Sequence, residues 1–343
     1  MIVVIIAGGS GTRLWPLSTP GYPKHLLKVN GDSKSLLQNT YERAKHLTDK
    51  VYVVSETSHI HHVKDQLPDL AEDHFIVEPA RRGTASCIVS ALVRIANQQS
   101  STEPIAFIHA DHYIRDLAGF LQSFKVASQT AEQQKRMVLV GVEPDYPATG
   151  LGYIQKGGLL AEDEFVYNVH SFKEKPDFET AKEYLRSGQY LWNCGYFIGS
   201  LETFKAVMQS CAPELYNNYE KLEQSTEDTY EETYLSFENI SIDYALIEKA
   251  DDLLVVPANF DWMDLGTYSD MYKAVEHDEQ GNHRFGTIEV EAVQNSFIQN
   301  YEDKPIAVIG LDNVVVVNTP DGILVARTDM SQKVGEVSKR IQN

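Results

Sequence analysis

Short runs of apolar residues alternate with amphipathic stretches through the first half of the chain. The apolar runs lie at residues 2–6, 51–54, 105–108 and 137–140. Because they lack polar alternation, they predict strands covered on both faces, as in a parallel sheet with flanking helices. Residues 35–47 and 84–96 instead place apolar side chains at helical spacing. The alternation predicts an α/β fold with a doubly wound, mostly parallel sheet that binds ligands at the carboxyl ends of its strands.

The pattern changes after about residue 280. Short β-type runs, separated by glycine and asparagine, lie at residues 287–290, 296–298, 306–309, 314–317 and 323–325. Val334, Val337 and Ile341 then follow at helical spacing. We therefore predict a first domain over residues 1–280 and a small β-helix-like module with a terminal helix over residues 281–343.

Composition and charge narrow the range of partners. Hydrophobic residues make up 43% of the chain, which is ordinary for a globular protein. The 49 acidic residues outnumber the 30 lysines and arginines, giving a formal net charge of −19. Because such a surface repels polyanions, we expect no nucleic acid and no membrane among the partners. A small phosphorylated substrate is still compatible, since a few clustered cations can govern one local site.

Cysteine usage and the N-terminal residues indicate a cytoplasmic protein. Cys87, Cys194 and Cys211 stand far apart, without the CxxC spacing of a zinc or redox motif. Residues 1–7 are apolar but are too short for a signal peptide, and they run straight into a glycine pair.

The segment Ala7-Gly8-Gly9-Ser10-Gly11-Thr12-Arg13-Leu14 follows the first predicted strand directly. Such glycines let backbone N–H groups approach a phosphate. Neither the dinucleotide fingerprint nor the P-loop pattern is met, because Leu14 replaces the third glycine and no Gly-Lys-Ser/Thr follows. The glycines alone are equally compatible with a simple turn. Arg13 favours phosphate binding, since a guanidinium grips phosphate oxygens in pairs, and Lys24 in Pro23-Lys24-His25 is a candidate second cation.

Two aspartates are candidates for a magnesium site. Asp111 lies in His109-Ala110-Asp111-His112, after a predicted strand, and Asp264 lies in Phe260-Asp261-Trp262-Met263-Asp264. A lone aspartate at such a position more often caps a helix or forms a turn. A triphosphate substrate, however, favours Mg²⁺ held by one or two carboxylates and phosphate oxygens. The sequence alone does not pair these two residues.

Two segments of the sequence carry a specific resemblance to a known family. The segment Gly8-Gly9-Ser10-Gly11-Thr12-Arg13-Leu14-Trp15-Pro16-Leu17-Ser18, with Pro23-Lys24 after it, resembles the signature of the sugar-nucleotide pyrophosphorylases, and most closely their mannose-1-phosphate guanylyltransferase branch. The resemblance implies that Arg13 and Lys24 are catalytic and stabilise charge on the α-phosphate and on pyrophosphate. It implies nucleotide binding by Ala7, Gly8, Gly9, Gly11, Thr12, Glu78 and Thr84. It also pairs Asp111 with Asp264 as the ligands of the metal ion.

Further motifs resemble the sugar-binding segments of the same family, in the same order. They are Thr149-Gly150-Leu151-Gly152-Tyr153, Phe172-Lys173-Glu174-Lys175-Pro176 and Trp192-Asn193-Cys194-Gly195. They imply sugar-phosphate binding by Gly152, Glu174, Lys175 and Asn193. The segment Glu78-Pro79-Ala80-Arg81-Arg82-Gly83-Thr84-Ala85 resembles the nucleobase-binding turn of the family. Two positions depart from the family pattern: His25 stands where glutamine is usual, and Gly83 stands where this turn commonly has asparagine or aspartate.

The resemblance therefore predicts a nucleotidyltransferase that makes GDP-mannose and pyrophosphate from GTP and mannose 1-phosphate. Glu78 is a hypothetical acceptor for the two N–H groups of the guanine edge. One alternative is the same chemistry on another hexose 1-phosphate or nucleotide. The other is a catalytically inactive regulatory subunit that binds sugar nucleotides. Such a subunit would lack the cations that bind phosphate or an aspartate that binds the metal ion. A nicotinamide dehydrogenase is disfavoured by the failed fingerprint. A homodimer is compatible with the sequence, and the β-type module is a candidate interface.

Overall fold

The computed structural model describes residues 1–9, 11–29, 33–98, 102–160 and 165–342. Ser10, in the glycine-rich segment of residues 7–14 that we call the phosphate loop, lies outside the described residues. The strands are β1 (Ile2–Ile6), β2 (Val51–Glu56), β3 (Phe75–Glu78), β4 (Ile105–His109), β5 (His112–Tyr113), β6 (Val138–Val142), β7 (Tyr153–Leu159), β8 (Tyr167–Lys173), β9 (Tyr190–Gly199), β10 (Leu254–Pro257), β11 (Met263–Asp264), β12 (His283–Phe285), β13 (Ile288–Glu291), β14 (Phe297–Asn300), β15 (Ile306–Ile309), β16 (Val314–Thr319) and β17 (Gly322–Arg327).

The α-helices surround these strands, and short 3₁₀ turns connect some of them. They are α1 (Leu36–Leu47), α2 (Ile60–Gln66), α3 (Gly83–Gln98), α4 (Leu117–Gln134), α5 (Phe178–Ser187), α6 (Leu201–Cys211), α7 (Pro213–Glu223), α8 (Glu227–Leu235), α9 (Ile242–Ala245), α10 (Tyr268–Ala274) and α11 (Val334–Gln342). No helix in the described ranges is both long enough and apolar enough to cross a bilayer.

A nine-stranded sheet forms the centre of the molecule, in the order β3-β2-β1-β4-β9-β6-β10-β8-β7. The strands β1 to β4 pair in parallel, and β6 pairs in parallel with β10. All the strands run in one direction except β8 and β9, which pair antiparallel with their neighbours. Seven of the nine described strands thus share one direction, as a mostly parallel sheet requires, while β8 and β9 make five of the nine pairings antiparallel.

The side chains of β1 show why the apolar runs lack alternation. Ile2, Val4 and Ile6 pack into one buried cluster, which also contains the apolar face of α3. Val3 and Ile5 point the other way, into a cluster that includes apolar residues of α1 and α4. Because helices cover both faces, every position of this strand is apolar. The doubly wound arrangement follows from this pattern.

The C-terminal module is built from short strands that pair in parallel across successive turns of the chain. The strands β12, β14 and β16 form one such row, and β13 pairs with β15 in a second row. β17 closes the first row by pairing antiparallel with β16. Each of the five β-type runs predicted after residue 280 overlaps a strand, and α11 is the predicted terminal helix. β12 was not predicted, because its sequence His-Arg-Phe is not an apolar run.

The module packs against the first domain through a shared apolar core. Leu14 and Trp15, which follow the phosphate loop, lie in one buried cluster with Val315, Val317 and Val334. The hydroxyl of Tyr268 also donates to the carbonyl oxygens of Leu14 and Trp15, at 2.8 and 3.1 Å. The chain after the phosphate loop is thus held by residues that come late in the sequence.

Candidate functional site

A cleft of about 530 Å³ lies at the carboxyl ends of β1, β3 and β4. This is the edge at which a parallel sheet is expected to bind ligands. The predicted site residues that line the cleft are Gly8, Gly9, Gly11, Thr12, Arg13, Lys24, Glu78, Thr84, Asp111, Lys175 and Asp264. Ala7, Gly152, Glu174 and Asn193 do not line it. Ala7 is buried, and its N–H group donates to the carbonyl oxygen of Val54 at 2.8 Å.

The phosphate loop turns tightly onto the segment that carries Lys24. Gly11 has φ +55°, a left-handed conformation that glycine adopts without strain. A Cβ atom at Gly11 would lie 2.7 Å from Cβ of Lys24 and 2.9 Å from its backbone nitrogen. Glycine is therefore required at this position for two reasons, and the close approach brings the loop beside Lys24. Arg13, in the next turn of the chain, is exposed at the wall of the cleft.

Lys24, Asp111 and Asp264 form one charged centre in the cleft. The Nζ atom of Lys24 lies 2.9 Å from Oδ2 of Asp111 and 2.7 Å from Oδ1 of Asp264. Burial alone would lower the pKa of Lys24, but the two carboxylates outweigh it and hold the pKa above its usual value. Burial alone would raise the pKa of each aspartate, but Lys24 holds both values below the usual range. All three groups are therefore charged at neutral pH.

The local pairing of two very short strands brings the two aspartates together. β11 pairs antiparallel with β5, and this register places Asp264 opposite His112. Asp111 immediately precedes β5, so the carboxylates meet although most of the chain separates them. Among the described residues, no group of three or more His, Cys, Asp or Glu side chains is arranged to hold a metal ion. Two carboxylates that share a cleft with the glycine-rich loop nevertheless fit Mg²⁺, which commonly takes its other ligands from water and phosphate oxygens.

Three described histidines, His25, His109 and His112, border this centre without adding charge to it, because burial lowers the pKa of each. Burial lowers the pKa of His25 to about 4 and that of His112 to about 3, although Asp111 opposes both shifts. Nδ1 of His112 is 2.9 Å from the hydroxyl of Tyr196, which fits a structural role for this histidine. The Nε2 atom of His25 is buried and has no hydrogen-bond partner among the described residues. Lys24 therefore supplies the positive charge here.

The opposite end of the cleft contains Glu78, at the end of β3. Glu78 is 7% exposed, and its carboxylate accepts a hydrogen bond from the hydroxyl of Tyr234. Burial raises the pKa of Glu78 to about 7, the hydrogen bond from Tyr234 opposes the shift, and the charge of Glu56 adds to it. The hydroxyl of Thr84 accepts from the backbone nitrogen of Ile242 at 2.9 Å, so this side chain also joins α3 to α9.

Gly83 departs from the family pattern for a steric reason. Its φ is +77°, and a Cβ atom there would lie 2.2 Å from the carbonyl oxygen of Ile240. No side chain fits on this backbone, because the contact is with main-chain atoms that cannot turn aside. The segment that contains Ile240 thus closes on the predicted nucleobase turn directly, in the place that an asparagine or aspartate would need.

The four residues predicted to bind the sugar phosphate lie together, and Lys175 among them lines the cleft. Nζ of Lys175 is 2.8 Å from Oε1 of Glu174, and the backbone nitrogen of Asn193 donates to the carbonyl oxygen of Gly152 at 2.8 Å. A Cβ atom at Gly152 would lie 2.5 Å from Oε2 of Glu174. The glycine therefore makes room for the Glu174 carboxylate, a reason that the sequence motif does not reveal.

Asp243 is a further member of this group, and the sequence analysis did not find it. Its Oδ1 accepts from Nδ2 of Asn193 at 2.9 Å. Burial, together with the charge of Glu174, raises the pKa of Asp243 to about 6. The group therefore presents several acceptors and one ammonium, Lys175, which suits a ligand with hydroxyl groups and a phosphate.

Comparison with known proteins identifies the family to which this chain belongs. A family model described as nucleotidyl transferase matches residues 2–281, which is most of the chain. The chain belongs to the nucleotidyl transferase family. A second model, described as the mannoseP isomerase/GMP-like β-helix domain, matches residues 287–341. The predicted fold class, an α/β domain with a small β-helix-like module after it, is confirmed.

Curated relatives of this nucleotidyl transferase lie in the branch that its motifs resemble. The chain is 34% identical over 344 residues to mannose-1-phosphate guanylyltransferase RfbM of Salmonella typhimurium, across 97% of this chain and 71% of the relative. It is 35% identical over 355 residues to the xanthan biosynthesis protein XanB of Xanthomonas campestris pv. campestris, across 100% of this chain and 73% of the relative. The predicted family membership is therefore confirmed.

A solved structure agrees with the whole fold of the transferase. A Thermus thermophilus protein described as a mannose-1-phosphate geranyltransferase superposes with a TM-score of 0.88 and 27% identity. The match covers 100% of this chain and 99% of the other. Both the large sheet and the C-terminal module of this nucleotidyl transferase thus have counterparts in one known structure.

Proposed function

We propose that this protein joins GTP and mannose 1-phosphate to give GDP-mannose and pyrophosphate. The proposal rests on one arrangement: the charged centre of Lys24, Asp111 and Asp264 shares one cleft with the glycines of the phosphate loop and with Lys175, one of the four residues predicted to bind the sugar phosphate. Transfer of a nucleotide requires both substrates to meet at such a centre. The names of the curated relatives support the choice of guanosine and mannose.

The reaction needs positioning and charge stabilisation more than acid–base chemistry. A phosphate oxygen of the sugar phosphate, already anionic, forms a bond to the α-phosphorus of GTP while the bond to the bridging oxygen breaks and pyrophosphate leaves. No proton has to be removed from the nucleophile. In our proposal, Lys175 holds the sugar phosphate in line, and Arg13 and Lys24 stabilise the charge on the α-phosphate and the leaving pyrophosphate.

Asp111 and Asp264 would hold Mg²⁺ together with phosphate oxygens of the nucleotide. The ion would neutralise the triphosphate charge and orient it for in-line displacement. Lys24 contacts both carboxylates, so its ammonium balances their charge. The same ammonium is then available to the phosphate groups.

The identity of the nucleobase would depend on Glu78. Ionised Glu78 can accept from both N–H groups of the guanine edge, and glutamine in its place loses one acceptor and the charge. We expect Glu78→Gln to lower the preference for GTP over inosine triphosphate by about 10-fold or more. The pKa of Glu78 is raised to about 7, so the neutral form prevails below that pH and the charge develops above it.

The pH dependence gives a second readout for the same variant. Between pH 6 and 8, KM for GTP should fall in the unchanged protein and stay nearly constant in Glu78→Gln. KM for mannose 1-phosphate serves as the internal control, because Glu78 lies at the other end of the cleft. An unaltered nucleotide preference and an unaltered pH profile would assign guanine recognition to another group.

The experiment that tests the reaction itself is a substrate panel. The protein with MgCl₂ is incubated with each of several nucleoside triphosphates and hexose 1-phosphates, and pyrophosphate release is measured. The highest kcat/KM is expected for GTP with mannose 1-phosphate. A higher kcat/KM for another combination of nucleotide and sugar phosphate would support the same chemistry on other substrates. No pyrophosphate release with any combination would support a catalytically inactive subunit that binds sugar nucleotides.

We further propose a cytoplasmic homodimer that does not bind nucleic acid or membranes. The three cysteines are unpaired, which suits a reducing compartment, and the net charge of −19 disfavours polyanions. Ile309, Ile323 and Val325 of the C-terminal module are each more than half exposed, which suits a contact between two copies. Light scattering during size-exclusion chromatography tests the dimer, and a monomeric mass at working concentration would contradict it.

A further inference from the structure

The terminal helix α11 lies directly against the side chain of Arg13. A Cβ atom added at Gly335 would be 2.9 Å from Cγ of Arg13 and 3.6 Å from its Cα. Gly335 itself is buried by this contact and by its neighbours. On another side, a Cβ atom at Gly266 would lie 3.5 Å from Nη2 of Arg13. The stem of Arg13 thus contacts the terminal helix, and its guanidinium passes close to Gly266 in the wall of the cleft.

The backbone next to Arg13 is held by the same C-terminal module. The hydroxyl of Thr319, at the end of β16, donates to the carbonyl oxygen of Pro16 at 3.3 Å. A Cβ atom at Gly322, the first residue of β17, would lie 2.5 Å from the ring of Trp15. Val334, next to Gly335, is buried in the core that also contains Leu14 and Trp15. The module therefore fixes both the chain after the phosphate loop and the stem of its arginine.

These contacts matter because arginine is long and the Arg13 side chain is exposed. An unsupported arginine samples many rotamers, and ordering it when substrate binds costs conformational entropy. Contact along the stem leaves the guanidinium accessible while it restricts the directions in which the group points. A cation that must meet a transferring phosphate gains most from such pre-organisation.

We infer that α11 positions Arg13 for the phosphate groups of the nucleotide, with Gly335 as the positioning residue. The inference rests on the proposed role of Arg13 in nucleotidyl transfer. It assigns the C-terminal module a part in catalysis, because the helix that closes the module sets the direction of a cation in the cleft. Glycine is needed at position 335 because any larger residue would push the Arg13 stem away from the helix.

The test is the substitution Gly335→Ala. The added methyl carbon meets Cγ of Arg13, near the backbone end of the side chain, so the whole guanidinium must shift. We expect kcat/KM for GTP to fall by about tenfold or more. KM for mannose 1-phosphate should stay within about twofold, because the hydrogen bonds and ion pairs given above for Glu174, Lys175 and Asn193 do not involve α11. Steady-state kinetics with each substrate varied in turn gives both numbers.

A double-mutant cycle separates this role from a general effect on the fold. In an Arg13→Ala background, Gly335→Ala should have little further effect on kcat/KM, since the side chain that it displaces is gone. Glu336→Ala is the matched control, because Glu336 is the next residue of the same helix and is exposed. The kcat/KM and KM values of Glu336→Ala should equal those of the unchanged protein. Thermal melting should show the folded fraction of each variant.

Unchanged kinetics in Gly335→Ala, or an equal loss with and without Arg13, would overturn the inference. If Gly335→Ala does not fold, Val334→Ala loosens the same helix from its buried side and should give a smaller loss that Arg13→Ala again cancels. If the unchanged protein has no turnover, the proposed function fails separately. Calorimetric affinity for GTP then decides the inference, since Gly335→Ala must weaken binding only when Arg13 is present.

Discussion

Lys24→Ala is expected to lower kcat by about three orders of magnitude. Removing one preorganised donor to a developing charge commonly costs roughly 10²- to 10³-fold, and Lys24 also balances the two aspartates. Its ammonium lies within hydrogen-bond distance of both carboxylates, and the residue is only 6% exposed. Measuring kcat with saturating GTP and mannose 1-phosphate tests this, with Lys28→Ala as the matched control, since Lys28 is exposed four residues away.

The same substitution should change stability in a direction that depends on pH. Removal of Lys24 leaves two neighbouring carboxylates without their counter-charge, which costs on the order of 3 kcal/mol for buried pairs and less here, since Asp111 and Asp264 keep side-chain exposures of 27% and 32%. In the unchanged protein both aspartates have a lowered pKa, so their contribution is present above the unfolded pKa and is lost only in acid. In Lys24→Ala, mutual repulsion should raise the pKa of the pair, so stability should increase as the pH falls from 8 to 5.

The affinity for Mg²⁺ should rise in Lys24→Ala although kcat falls. Lys24 and a divalent cation compete for the same two carboxylates, so Lys24→Ala should bind Mg²⁺ more tightly without nucleotide while kcat falls. Titration calorimetry with MgCl₂ measures this. A variant that folds, keeps near-normal kcat and shows the same Mg²⁺ affinity would remove Lys24 from the mechanism. A simple loss of folded protein would weaken metal binding instead.

Strands β1, β2, β4 and β6, with helices α1 and α3, were predictable because both faces of the sheet are buried, whereas the apolar runs did not reveal the other strands of the sheet. The run at residues 2–6 matches β1, and its side chains alternate between two cores, which leaves no polar position. The antiparallel course of β9 was not predictable in this way. β9 lies between the parallel strands β4 and β6 and has the same apolar character, so its sequence does not reveal its direction.

The charged centre illustrates what sequence reasoning could and could not supply. Residue chemistry made Lys24, Asp111 and Asp264 separate candidates, but only the family resemblance paired the aspartates. The structure explains the pairing through β5 and β11, strands of two residues each, which are too short to produce a pattern. The contact of Lys24 with both carboxylates depends on the turn at Gly11, a three-dimensional feature.

Asp243 and Gly335 were missed for a different reason. Asp243 lies in a one-turn helix, with no repeat or glycine to mark it, and its relevance follows from contact with Asn193, fifty residues away. Gly335 looks like an ordinary glycine near the start of a helix, and its relevance follows from contact with Arg13. Neither contact leaves a trace in local sequence, because both partners come from distant segments.

Asp264→Asn is expected to lower kcat by about 10²-fold or more while the fold is retained. Asparagine keeps the shape of the side chain but removes the charge, so the proposed metal site loses one of its two carboxylates. Lys24 would remain paired with Asp111, which should limit the loss of stability. Magnesium dependence should also change: a higher MgCl₂ concentration should be needed for half-maximal turnover, because a neutral amide oxygen binds a hard cation less tightly than a carboxylate.

Asp261→Asn is the matched control for this substitution. Asp261 is three residues earlier, and its side chain is 30% exposed, close to the 32% of Asp264. Its carboxylate binds Arg115, with Oδ2 2.9 Å from Nε, and not Lys24. Asp261 lines a neighbouring pocket with Asp264 but not the cleft that contains Lys24 and Asp111, so its substitution should leave both kcat and the magnesium requirement close to normal. An equal loss of kcat in Asp264→Asn and Asp261→Asn would mean that any negative charge near the cleft contributes. Asp264 would then have no specific role with the metal ion.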